Sequence, residues 1–241
     1  LVIKIKKMIN KFFKIINNKY NKFFRFIFFL RYLLAIFSIS IGIFLIIPYF
    51  IDYEKKTDFI RNSFQQQYNL KIIKNEKIRF AIFPTPNLIL KNTQINFNGS
   101  SSIVHVNNLK IFPKFRSIYD FENFKINKII LKNSYISVDV NDFKNFIKKF
   151  FNQIDKISIN KLDLKILNSS NSLIKIKNIK FSNYGYSKNI FSGNIFDKQF
   201  KANIYENFKK INFKILNSGF SADINFDDKI DKDTLSGVFK S

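Results

Sequence analysis

Past residue 70 the apolar residues of this chain recur at every second position. Ile78, Phe80 and Ile82 alternate with Arg79 and Ala81, and Ile136, Val138 and Val140 alternate with Ser137 and Asp139. Leu162, Leu164 and Ile166 alternate with Asp163 and Lys165. Ile174 and Ile176 are followed, after a slip of one residue, by Ile179 and Phe181. Ile211, Phe213 and Ile215, then Phe220, Ala222, Ile224 and Phe226, repeat the pattern. A period of two gives a strand one apolar and one polar face. Turn signals such as NSSNS, NYG, NSG and FDDK separate the runs. The pattern predicts a long series of short antiparallel strands.

Helical spacing interrupts it in three places. Glu54 to Gln67 sets Phe59, Ile60 and Phe64, and then Tyr68, on one face. Asn141 to Gln153 carries the stripe Phe143, Phe146, Ile147, Phe150 and Phe151, with Asn141 or Asp142 as its cap. A further short helix is predicted after Pro113. Pro84 and Pro86 cannot donate to a ladder. They predict the end of a strand over Ile78–Phe83 and the start of another over Leu88–Phe97.

The N-terminal fifth differs in kind. Tyr32 to Ile51 carries no charge. About twenty apolar residues span a bilayer core as a helix. Nine lysines and arginines and no acid precede Tyr32, whereas Asp52, Glu54 and Asp58 follow Ile51. The positive-inside rule then places the N-terminus in the cytoplasm and the rest across the membrane. The run is too long for a signal peptide, and no small-x-small site follows it. The expected organisation is a basic cytoplasmic segment over 1–31, a transmembrane helix over 32–51, and a β domain over 52–241. Within the basic segment, Ile9, Phe12, Phe13 and Ile16 have the spacing of a helix lying on an anionic leaflet.

Composition narrows the chemistry. The chain has 241 residues, net charge +24, 32 Phe and no Cys. Disulfides, thiolate metal sites and cysteine nucleophiles are excluded. The abundance of Lys, Ile, Asn and Phe follows AT-rich codons, which discounts the charge as a sign of nucleic-acid binding. His105, the single histidine, lies in IVHVNN with no acid nearby in sequence, so no histidine triad is expected. Asp227, Asp228, Asp231 and Asp233 lack the central glycine and terminal glutamate of a calcium loop. No P-loop or dinucleotide fingerprint is present. The reading is of a non-enzyme without metal or cofactor.

The stretch IRFAIFPTPNLILKNTQINF, Ile78 to Phe97, together with VHVNNLKIFPKFRSIYDFENFKINKIILKNSYISVDV, Val104 to Val140, resembles the N-terminal part of the AsmA family. The family pattern is one membrane helix, a short amphipathic helix, a strand ending in phenylalanine–proline, and a leucine-rich strand with asparagine. A strand then leads into a proline-containing short helix. The resemblance covers roughly residues 28–240. It departs in the scarcity of glycine, the long basic flank and the length, since family members usually run much longer.

The resemblance implies a protein anchored in the bacterial inner membrane, with its bulk in the periplasm. It implies an elongated, curved antiparallel β-sheet with a hydrophobic groove, similar to bridge-like lipid-transfer proteins. It also implies a role in phospholipid transport and outer-membrane assembly. The partners expected are the inner-membrane bilayer, phospholipid and envelope assembly proteins, with no nucleic acid. The groove candidates are Leu162, Leu164, Ile166, Ile174, Ile176, Phe213, Ile215, Ile224 and Phe226. An alternative reading is a structural factor that docks envelope partners through its β domain.

Overall fold

The computed structural model describes residues 2–97, 102–143, 146, 155–169, 171–205, 210–227 and 234–240. Residues 1–51 and 52–241 form separate units. In the first, helix α1 runs over Val2–Ile46, and a 3-10 turn with Pro48 follows over Ile47–Phe50. Helical geometry is broken once, at Tyr20 (φ −113°, ψ 18°). The break falls inside the basic segment, with Lys22, Arg25 and Arg31 after it. Lys19–Phe50 is the one helical stretch among the described residues long and apolar enough to cross a membrane. Its apolar side chains, Phe28, Leu33, Ile36 and Phe37 among them, are exposed. Ser40 Oγ donates to the Ile36 carbonyl (2.9 Å), which satisfies the hydroxyl within the helix.

The second unit begins with α2 (Thr57–Tyr68) and continues as strands. These are β1 (Leu70–Lys74), β2 (Lys77–Ala81), β3 (Asn87–Phe97), β4 (Ile103–Pro113), β5 (Ile126–Asp139) and β6 (Lys156–Asn168). They are followed by β7 (Asn171–Ser182), β8 (Ile190–Ile195), β9 (Lys198–Tyr205), β10 (Lys210–Ile215), β11 (Ser221–Asp227) and β12 (Thr234–Lys240). All twelve belong to one long, curved, open sheet, so the unit is mainly β. From β3 onward, neighbours in sequence are neighbours in the sheet. β1 and β2 both pair with β3, end to end along the same edge.

One joint departs from the antiparallel expectation: β5 and β6 run parallel. Parallel neighbours need a crossover of a dozen or more residues, and residues 140–155 supply it. Residues 140–143 and 146 are helical there. The remainder of the predicted Asn141–Gln153 helix lies outside the described residues. Val140 begins this helix and is exposed, so it does not extend the apolar phase of β5 as the alternation predicts.

The proline loop also differs slightly from expectation. The strand from Ile78 ends at Ala81 rather than Phe83, and Phe83 is exposed. The buried Asn87 holds the loop closed, its Nδ2 donating to Thr85 O (2.8 Å) and Ala81 O (3.3 Å). The predicted helix after Pro113 is a 3-10 turn over Phe115–Ile118.

The single slip expected in β7 is one of five. The inward phase changes after Leu90 in β3, after Val106 in β4, after Leu131 in β5, after Ile159 in β6 and after Ile176 in β7. Four of the slips fall on a Lys/Asn pair, Lys91–Asn92, Lys132–Asn133, Asn160–Lys161 and Lys177–Asn178, and the one in β4 falls on Asn107–Asn108. Register aligns the slips of β3 to β6 into one seam, and the slip of β7 falls beside it, between the partners of Leu162 and Leu164. Asn92 (φ 46°), Asn133 (52°), Lys161 (70°) and Asn178 (54°) take up the extra residue in left-handed backbone. Asparagine tolerates that conformation better than most side chains. Extra residues of this kind bend and twist a strand. A whole seam of them curves the sheet.

The first half of the inward face is covered. Ile60, Phe64 and Tyr68 of α2 are fully buried, whereas Phe59 is exposed, with the Lys56 ammonium over its ring. Gln67 Oε1 accepts from Ile126 N (3.0 Å), and the Tyr68 hydroxyl donates to Lys156 O (3.2 Å). The C-terminal end of α2 thus holds the starts of β5 and β6. Tyr53 stacks on Phe80 (5.6 Å) and meets Phe121 edge-on (5.7 Å). Burial raises the phenol pKa of Tyr68, helped by the charge of Asp155 and by Tyr184. Burial does the same at Tyr53, with a smaller push from Tyr119.

Candidate functional site: a phenylalanine-lined sheet face

One row of apolar side chains crosses the whole sheet. From β2 to β7 the register partners are Ile78, Leu90, Leu109, Leu131, Ile159 and Phe181. From β8 to β12 they are Phe191, Ala202, Phe213, Ala222 and Phe239. Neighbouring strands lie about 4.8 Å apart, so the row extends over on the order of 50 Å.

The two halves of the row differ in cover. Up to Phe181 every member is buried. Beyond it Ala202, Ala222 and the flanking Phe200 are buried between their larger neighbours, Phe191 and Phe213 are half-buried, and Phe239 is 62% exposed. α2 packs on β1 and β5, and the 3-10 turn packs on β4, whereas β8 to β12 make their main contacts with adjacent strands. The face is therefore core at one end and open at the other.

Ring packing makes the open end continuous. Ala202 and Ala222 leave room between the phenylalanines of the row, and Phe200 and Phe220 fill in from the flanks. Centroid distances run Phe181–Phe191 6.3 Å, Phe191–Phe200 5.7 Å, Phe200–Phe213 5.4 Å, Phe213–Phe220 6.2 Å and Phe220–Phe239 6.5 Å. These lie in the range of favourable aromatic pairs. Gly193 permits the packing: a Cβ there would lie 3.0 Å from both Phe200 Cε1 and Lys177 O.

The sequence candidates fall into two groups. Leu162, Leu164 and Ile166 are buried, and Ile174 and Ile176 opposite them are half-buried. Leu164 pairs with Ile176, and Ile166 pairs with Ile174. Phe213, Ile215 and Ile224 are half-buried further along. Ile215 lies opposite Phe200, Ile224 opposite Ile211, and Phe226 opposite Leu235. The candidate set omits Phe191, Phe200, Phe220 and Phe239. The spacing Phe191, Phe196, Phe200 looks irregular because a tight turn at Phe196–Asp197 interrupts it, both residues having positive φ. Pairing across the turn, rather than period along the chain, brings Phe191 and Phe200 together.

Polar chemistry is sparse on this face. Thr93 and Ser134 are its buried hydroxyls near the seam. His105 sits in β4, its ring stacked on that of Tyr135 at 4.5 Å. No group of three or more His, Cys, Asp and Glu side chains among the described residues can hold a metal. Of the acidic cluster, Asp227 closes β11, and Asp228, Asp231 and Asp233 lie outside the described residues.

No family model, curated protein or solved structure matches this chain. An apolar strip bounded by paired backbone can hold extended hydrocarbon.

Proposed function

We propose that the chain is a single-pass membrane protein whose β unit holds phospholipid acyl chains against its phenylalanine-lined face. In this reading it conducts lipid toward an outer membrane. The anchor lies in a bacterial inner membrane with the N-terminus cytoplasmic, and the sheet is periplasmic, as the AsmA resemblance implies. The observation that carries the reading is the unbroken apolar row whose β8–β12 half remains open. Burying an acyl chain there is favourable by about 0.8 kcal/mol per CH2, and no bond is made or broken.

Photocrosslinking of the full chain in native membranes tests this. A benzophenone side chain at Phe191 or Phe213 should capture phospholipid, whereas one at Tyr186, exposed in a turn off the apolar row, should not. Equal capture from all three positions, or capture from none, would remove the reading. Capture of protein alone from Phe213 would favour the second reading, a scaffold that docks an envelope partner. That reading has its own observation: β12 is an edge strand among the described residues, with Val238 and Phe239 exposed.

A further inference from the structure

The face turned away from the phenylalanines carries its own continuous row, and that row is cationic. Lys91, Lys132, Lys180, Lys201, Lys214 and Lys240 stand at one level of the sheet. Register joins them through Asn108, Asn160, Ser192 and Ser221. A strand spacing of about 4.8 Å places an ammonium at every first or second strand over on the order of 40 Å. None of these lysines is buried, and none forms an ion pair among the described residues.

Among the described side chains, Asp139, Asp163 and Asp223 are carboxylates of this face, and each already accepts a hydrogen bond. Asp139 accepts from Asn141 N (3.0 Å), Asp163 from Asn178 N (2.8 Å), and Asp223 from Asn212 Nδ2. AT-rich codons explain why lysine is the available polar residue. They do not explain why the row excludes Asp and Glu.

We infer that this row docks the sheet onto an anionic phospholipid bilayer. The charges are lysines on flexible stems, which suit a fluid array of head groups. A fixed phosphate geometry is better matched by arginine forks. The row itself contains no aromatic platform on which successive bases stack, and the two rings His105 and Tyr135 on this face stack on each other away from the row, which argues against single-stranded nucleic acid. A bilayer is also the anionic surface nearest in sequence, because α2 begins six residues after Ile51. Tethering converts weak surface attraction into a high local concentration. This inference does not depend on acyl chains occupying the opposite face.

The test uses the full chain in phosphatidylcholine nanodiscs, with added vesicles of phosphatidylcholine alone or rich in phosphatidylglycerol. Capture of the anionic vesicles, weakened by salt, is expected. Replacing Lys132, Lys180, Lys201 and Lys214 together by Gln should lower it about ten-fold or more. The same four positions as Arg should retain it, which reports that the sheet is folded. A charge-matched set off the row, Lys55, Lys114, Lys125 and Lys188 to Gln, should also retain it. An equal loss in that control set would overturn the inference in favour of general charge. Undiminished capture by the Gln row variant would assign binding to the basic N-terminal segment and overturn it too. So would a row-dependent complex with single-stranded DNA in the absence of vesicle capture.

Discussion

Leu131 and Ile159 face each other across the one parallel joint of the sheet, both buried, and both immediately before a phase slip. Because both strands slip at the same level, Ser134 and Leu162 again face each other beyond the joint. The reversal of chain direction therefore leaves the apolar row intact. Leu131→Ala should destabilise the protein by about 2–5 kcal/mol, the range for a buried leucine. Phe239→Ser, at the exposed end of the same row, should stay within about 0.5 kcal/mol. Urea midpoints of the two variants in detergent check the contrast. Equal losses would show that β12 is as well covered as β5.

Alkaline stability should depend on Tyr68. Its phenol has an ordinary pKa of 10.0 and is raised in the folded protein, chiefly by burial. Below pH 10 both states hold the proton. Above it the unfolded state ionises first and binds fewer protons, so stability falls as pH rises. Tyr68→Phe should cost about 1 kcal/mol at pH 8 through the lost bond to Lys156 O. The gap to wild type should narrow or reverse by pH 11. A gap that stays constant over that interval would show that Tyr68 is hydrated in the native state.

Gly193→Ala should be destabilising by about 1–3 kcal/mol, the usual range for overpacking. The added methyl meets the Lys177 carbonyl, a backbone atom that cannot swing away as a side chain can. The variant should also shift Phe200, and with it the line of rings. Aromatic proton shifts of Phe191 and Phe213 in a labelled sample would report that change.

Lys161 is the non-asparagine among the left-handed seam residues. Lys161→Gly removes a Cβ that costs about 1–2 kcal/mol in that conformation, offset by roughly 0.5–1 kcal/mol of backbone entropy. A net gain of up to about 1 kcal/mol is expected. Asn133→Val should lose stability, because a β-branched residue fits left-handed backbone poorly. Thermal unfolding of the two variants reads both signs.

The strands were legible in the sequence because one face meets the core and one meets water, and period two records that directly. Ile60, Phe64 and Tyr68 were legible for the same reason at helical spacing. The slip between Ile176 and Ile179 could be read as a single event. Two of its counterparts, Leu90–Thr93 and Leu131–Ser134, hide behind polar inward residues, which break the apolar count; Val106–Leu109 and Ile159–Leu162 are apolar on both sides and show the same spacing as Ile176–Ile179. The parallel joint at Leu131–Ile159 leaves no mark on either strand, because direction is set by the crossover and not by alternation. The phenylalanine line was only partly legible, since Phe191, Phe200 and Phe220 meet through strand pairing and turn geometry. In Leu162, Leu164 and Ile166 the alternation identified inward residues correctly, but alternation carries no information about what covers a face.

The seam has a consequence for how this sheet tolerates lesions. Each strand from β3 to β6 carries its extra residue at a level matched by a neighbour. Deleting one of them, Asn133 for instance, would turn the distal half of β5 inside out between two unaltered strands. Ser134, Ile136 and Val138 would trade places with Tyr135, Ser137 and Asp139. No substitution elsewhere in β5 repairs that error; only a compensating insertion in the same strand does. The slips of β3 to β6 thus behave as a shared reading frame, written in three dimensions and kept or lost together.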